Sequence, residues 1–74
     1  MAGNEGDRPD KYSRIGHRIK VLRVERGMTA KEVAAAARID PTTLSRIEAG
    51  KMDPRSSTLE KIVVRGLGAE LSDL

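Results

Sequence analysis

The stretch DPTTLSRIEAGK, Asp40 to Lys51, gathers three hydroxyl side chains (Thr42, Thr43 and Ser45) and one guanidinium (Arg46) in a single short segment. Such groups donate and accept hydrogen bonds, which is the chemistry of recognition rather than of bond making. The groups that catalysis would add are missing. The chain has one His (His17) and no Cys, no Gly-rich phosphate loop, no Ser-His-Asp spacing and no pair of carboxylates facing a plausible pocket. Disulfides and thiolate zinc are excluded, and a lone His cannot build a His-rich metal site. The expectation is a binding protein, not an enzyme, with no metal, no cofactor and no small-molecule ligand.

A helix as short as this one cannot stand alone in water, so its neighbours must hold it. Its start is strongly specified. Asp40 is placed to cap the helix, and Pro41 fills the first helical position, where a missing N–H costs nothing. Ile39 and Leu44 stand at the two positions of a hydrophobic staple, Leu44 and Ile47 face inward, and Gly50 closes the helix. The preceding segment repeats the grammar. Thr29 caps, Glu32 completes a capping box, Met28 and Val33 form the staple, and Val33, Ala34 and Ala37 make a narrow apolar stripe ending near Ala37.

Upstream, Ile15, Ile19 and Leu22 lie at i, i+4 and i+7, which predicts a helix from Lys11 or Tyr12 to Arg26, stopped by Gly27. Downstream, Ser57 and Glu60 suggest another capping box and a helix from Ser57 to Arg65 that buries Leu59, Ile62 and Val63. Gly66 and Gly68 are expected to break it, and Ala69 to Leu74 to add one last short turn. Residues 1–10, polar and carrying Gly3, Gly6 and Pro9, read as a disordered arm, leaving residues 11–74 as one domain. No segment has the two-residue period of a strand, so the fold class is all-α, a compact bundle of four to five short helices.

Among 74 residues, 38% are hydrophobic and Tyr12 is the only aromatic, so the core must be built from Ile, Leu, Val, Ala and Met. No apolar run approaches the roughly 18 residues that a membrane span needs, and MAGNEGDRPD lacks the apolar stretch of a signal peptide. A cytoplasmic location and no membrane contact are expected. The net charge of +3 is unevenly spread: residues 11–38 carry eight basic and two acidic side chains, whereas residues 1–10 carry one basic and three acidic. One part of the molecule is thus electropositive, as a polyanion-binding face would need.

Two short capped helices joined by a tight turn make a helix-turn-helix arrangement, in which the second helix enters the major groove of DNA. The run RIKVLRVERGMTAKEVAAAARIDPTTLSRIEAGKMDPRSSTLEKI resembles the helix-turn-helix family of phage Cro proteins and repressors, also called XRE-type. The resemblance spans Ile15 to Leu74 and rests on R-x-x-R-G-M-T before the second helix, L-S-R-I-E-A-G-K through the third, and P-x-x-x-T-L opening the fourth. It implies a lambda-repressor-like bundle that binds operator DNA, usually as a homodimer on a pseudo-palindrome.

On this resemblance the base-reading positions fall on Pro41, Thr42, Ser45 and Arg46. Arg46 is the principal candidate, because a guanidinium can bind O6 and N7 of guanine together. Phosphate contacts are expected from Thr29, Lys31, Arg38, Thr43 and Lys51, aided by the N–H groups and dipole at the start of the second helix. Arg23 and Glu48 match the family's ion pair between the first and third helices and carry a structural reading. Three positions depart from the family pattern. Ala30 stands where Gln is frequent, so that phosphate contact is lost; Arg38 stands where Gly is common, in the turn; and Pro41 can offer a base only apolar contact.

Val64, Leu67, Leu71 and Leu74 form an apolar tail, the expected dimer interface. About eight residues follow the four-helix core, too few for a ligand-binding or catalytic domain, so control is expected through promoter occupancy. The competing reading is a protein-interaction module, such as an antitoxin whose main partner binds the same tail.

Overall fold

The computed structural model describes residues 11–74, and within them every regular element is a helix. The expected disordered arm lies outside the described residues. Helix α1 spans Lys11–Glu25, α2 Ala30–Ala37, α3 Pro41–Glu48 and α4 Ser56–Glu60. α4 runs on without a break into a π-helical segment, Lys61–Gly66, and a 3-10 turn, Leu71–Asp73, follows.

α1 stops as its sequence dictates. Gly27 takes a left-handed φ of 67°, and the Met28 N–H turns back to the Arg23 carbonyl at 3.0 Å. α2 opens with a complete capping box: Thr29 Oγ1 accepts from the Glu32 N–H at 3.1 Å, and Glu32 Oε1 accepts from the Thr29 N–H at 2.8 Å. α3 opens on Asp40, whose Oδ1 accepts from the Thr42 N–H at 2.7 Å, with Pro41 in its first turn.

Burial then ties the elements together. Ile19, Leu22, Val33, Ala34, Ala37, Leu44, Ile47, Ile62 and Leu67 form one cluster, against which Ile15, Met28, Ile39 and Leu59 pack from the edge. Each large side chain in it contributes about 1.5–3 kcal/mol by leaving water. α2 packs against the π-helical segment, and α1 against α3. Both contacts require a side chain to be absent. A Cβ at Gly16 of α1 would overlap the Ile47 carbonyl of α3, and one at Gly66 would lie 2.8 Å from Val33 Cγ1 and 3.1 Å from the Val33 carbonyl of α2.

These contacts correct two expectations and sharpen a third. The capping box at Ser57 and Glu60 does not form, because the helix starts one residue earlier, with Arg55 as a cap that makes no side-chain hydrogen bond. Gly66 is more than a stop: it is the last, buried residue of the π-helical segment and a point of close approach, and the left-handed turn itself falls at Gly68, where φ is 65°. Leu67 is not part of an apolar surface: it is 4% exposed and belongs to the core.

Candidate nucleic-acid interface

α3 divides cleanly into two sides. Leu44 and Ile47 are fully buried, whereas Pro41, Thr42, Ser45 and Arg46 are exposed and Thr43 lies half-buried at the margin. The side chains of Thr42, Ser45 and Arg46 make no hydrogen bond among the described residues, so their donors and acceptors are open to a partner. The sequence periodicity predicts the same division, since two inward residues three positions apart leave the opposite face outward.

The other end of α3 is anchored through Glu48. Its carboxylate receives two parallel bonds from Arg23 of α1, Nε to Oε2 at 2.8 Å and Nη2 to Oε1 at 3.0 Å. The third guanidinium nitrogen, Nη1, donates to the Met28 carbonyl at 3.0 Å, just before the cap of α2. One guanidinium therefore joins α1, the entry of α2 and the end of α3. Both side chains are largely out of water, 14% exposed for Arg23 and 8% for Glu48. The hydrogen bonds from Arg23 to Glu48 push the Arg23 pKa above its ordinary value, desolvation opposes this, and the Glu48 charge reinforces it. The planar fork fits a carboxylate edge to edge, so the pair fixes an orientation as well as a distance.

The two helix starts differ as anion sites. At α2, Thr29 and Glu32 satisfy each other and the first intrahelical bond comes from the Val33 N–H, leaving the Ala30 and Lys31 N–H groups without intrahelical acceptors. At α3, Pro41 has no N–H and Asp40 takes that of Thr42, so only the Thr43 N–H stays open, beside a carboxylate. The start of α2 is thus the better seat for a phosphate, even with the Glu32 carboxylate nearby. Lys31, Arg38 and Lys51 are all exposed, Arg38 as the C-cap of α2 and Lys51 just beyond α3.

Arg38 is the one non-glycine residue with positive φ among the described residues, at φ 59° and ψ 45°. Its N–H closes α2 onto the Ala34 and Ala35 carbonyls, and the Ile39 N–H follows onto Ala34 at 2.9 Å. This left-handed step ends α2 and leaves only Ile39 and Asp40 before α3 begins at Pro41.

In the C-terminal part, Val64 is 48% and Leu71 47% exposed, while Leu74 packs against the core. Val64 lies in a shallow groove with Ser57, Glu60, Lys61 and Arg65; Lys61 and Arg65 belong to no sequence motif, although the i, i+3, i+4 spacing puts all five on one face. Gly16 likewise belongs to no motif, and its one signal is a glycine inside an otherwise strongly helical run. Among the described residues, no helix is long and apolar enough to cross a membrane.

Comparison with known proteins agrees with this geometry. The helix-turn-helix family model matches residues 19–64, from the middle of α1 into the π-helical segment. Two solved structures of the clp gene regulator ClgR from Corynebacterium glutamicum superpose with a TM-score of 0.82. In one the identity is 30%, covering 89% of this chain and 84% of that one; in the other it is 31%, covering 88% and 68%. Among curated proteins no sequence match is found. A matched family core, a closely similar backbone and an α3 with one side buried and the other open lead to one assignment: the chain belongs to the XRE-type helix-turn-helix family of DNA-binding transcriptional regulators.

Proposed function

We propose that the chain controls transcription by binding an operator in double-stranded DNA as a homodimer, each copy laying α3 in the major groove of one half-site. The observation that carries this is the outward side of α3. Pro41, Thr42, Ser45 and Arg46 are exposed together, and the three polar side chains among them are unengaged among the described residues, while Leu44 and Ile47 on the other side hold the helix in the core. Arg46 pairs with O6 and N7 of a guanine, Thr42 and Ser45 offer hydroxyls to neighbouring base edges, and Pro41 gives apolar contact to a thymine methyl. Thr29, Lys31, Arg38, Thr43 and Lys51 hold phosphates, together with the open N–H groups of Ala30 and Lys31. Val64 and Leu71, with Leu74 at their margin, form the surface between copies. A two-fold assembly suits half-sites about one helical turn apart.

Selection of bound sequences from random duplex DNA tests this reading. A two-fold symmetric consensus with a guanine whose selection depends on Arg46 is the expected result. Failure to enrich any sequence at low salt would overturn it. The exposed Val64 and Leu71 also suit a different protein as partner, so sedimentation accompanies the selection. A chain that stays monomeric at tens of micromolar would count against self-pairing there.

A further inference from the structure

α1 carries a second apolar strip that neither the core nor α3 uses. Val24 is 60% exposed, more than any other large hydrophobic side chain among the described residues, and it lies in a shallow groove with Val21, His17, Lys20 and Glu25. Its helical position is opposite Ile19, Leu22 and Arg23, which turn toward the core and α3. Arg14, His17, Val21 and Val24 follow one another at intervals of three, four and three residues, the spacing of a seam between two helices. Arg18 and Glu25, two turns apart, lie along one edge of that seam, and both are exposed. The Arg18 Nε donates to the Asp73 carbonyl at 3.2 Å, and its two Nη groups have no partner among the described residues.

We propose that this face of α1 pairs with the same face of a second copy, the two helices antiparallel about a two-fold axis between Val21 and Val24. The symmetry follows from the residues. A two-fold axis across an antiparallel helix pair brings like edges together, so Val21 of each copy meets Val24 of the other and Arg18 of each meets Glu25 of the other. The apolar strip and the charges are satisfied in one register, twice over. Parallel packing would instead stack Arg14 on Arg14 in the middle of the seam, where like charges repel, and would leave Arg18 without the Glu25 carboxylate. The strip is narrow beside the roughly 800 Å² per partner of a stable interface, so the pairing is weak between free copies. It gains strength where copies are already concentrated by another attachment. Because α1 is a different element from those that carry Val64 and Leu71, it can link assemblies side by side.

The absence of native cysteine makes the register directly testable. Chains carrying Val21→Cys and chains carrying Val24→Cys are mixed without DNA in concentrated solution and oxidised slowly. The expected result is a mixed disulfide, joining position 21 of one chain to position 24 of the other, formed several-fold faster than either homodisulfide. Adding Glu25→Arg to both chains should abolish that preference, and the double reversal Arg18→Glu with Glu25→Arg should restore it. Homodisulfides that form faster, as parallel helices would give, would overturn the proposal. So would random proportions of the three products, or a preference that survives Glu25→Arg alone. The readout is independent of DNA, so it stands or falls separately from the operator reading.

Discussion

Replacing Glu48 with Ala is the sharpest test of how α3 is held. The substitution removes both acceptors of the Arg23 fork and leaves its Nε and Nη2 donors facing a space that Glu48 had filled, while Nη1 stays on the Met28 carbonyl. Exposed ion pairs are worth about 0–1 kcal/mol, and breaking a buried one from a single side costs about 3–5 kcal/mol. With 14% and 8% of the two side chains exposed, the pair lies nearer the second limit, so we expect a loss of about 3 kcal/mol. A domain of this size holds on the order of 5 kcal/mol in total, and the loss translates into a fall in Tm of roughly 12–24 °C. Urea and thermal unfolding followed by far-ultraviolet circular dichroism would measure it. Arg23→Met with Glu48→Leu should recover part of the loss, since no charge is then left unpaired. A cost below about 1 kcal/mol for Glu48→Ala, the range of a solvated pair, would refute the argument.

Three further outcomes follow from the geometry. Arg38→Gly should raise stability by about 0.5–1 kcal/mol, the relief of a left-handed residue reduced by the extra freedom of glycine in the unfolded chain; a lower Tm would show that the side chain stabilises the turn. Gly16→Ala should destabilise strongly, because the new methyl meets the Ile47 carbonyl and α1 must move off α3; an unchanged urea midpoint would contradict the close approach. On the selected operator, Arg46→Ala should cost about 1–3 kcal/mol and relax one base position, whereas Lys51→Ala should weaken all duplexes alike and reduce the salt slope by about one unit. Equal losses on operator and random DNA for Arg46→Ala would remove its reading role.

The parts of this fold that are legible in the sequence are those fixed within a few residues. Thr29 with Glu32, and Asp40 with Pro41, specify their helix starts through bonds that close inside one turn, and the structure forms them as read. The inward positions of α3 follow from helical period in the same way. Ser57 and Glu60 mislead for an instructive reason: the cap spacing is present, but the chain after Pro54 enters the helix at Ser56, so Ser57 already lies within the helix. Gly66 reads only as a stop and Leu67 as surface because their packing is set by distant elements. The close approach to Val33 and the π-helical bonding change which faces turn inward, and nothing local records that contact. Arg38 is readable only in part. Its position after the alanine stripe marks the turn, but the backbone step it takes depends on how α2 and α3 are packed. The roles of the exposed residues rest on resemblance and on what remains open on the surface, which a sequence can suggest and only binding can measure.

The two sides of α3 also govern how this protein can change. Leu44, Ile47 and Glu48 hold the helix, and Thr42, Ser45 and Arg46 hold nothing among the described residues. Substitutions at the latter three should be nearly neutral for stability, typically within about 0.5 kcal/mol. Specificity can therefore diverge between descendants of such a chain without a folding penalty to compensate. A library randomised at those three sites should return folded proteins at close to the parental frequency, whatever each of them then recognises.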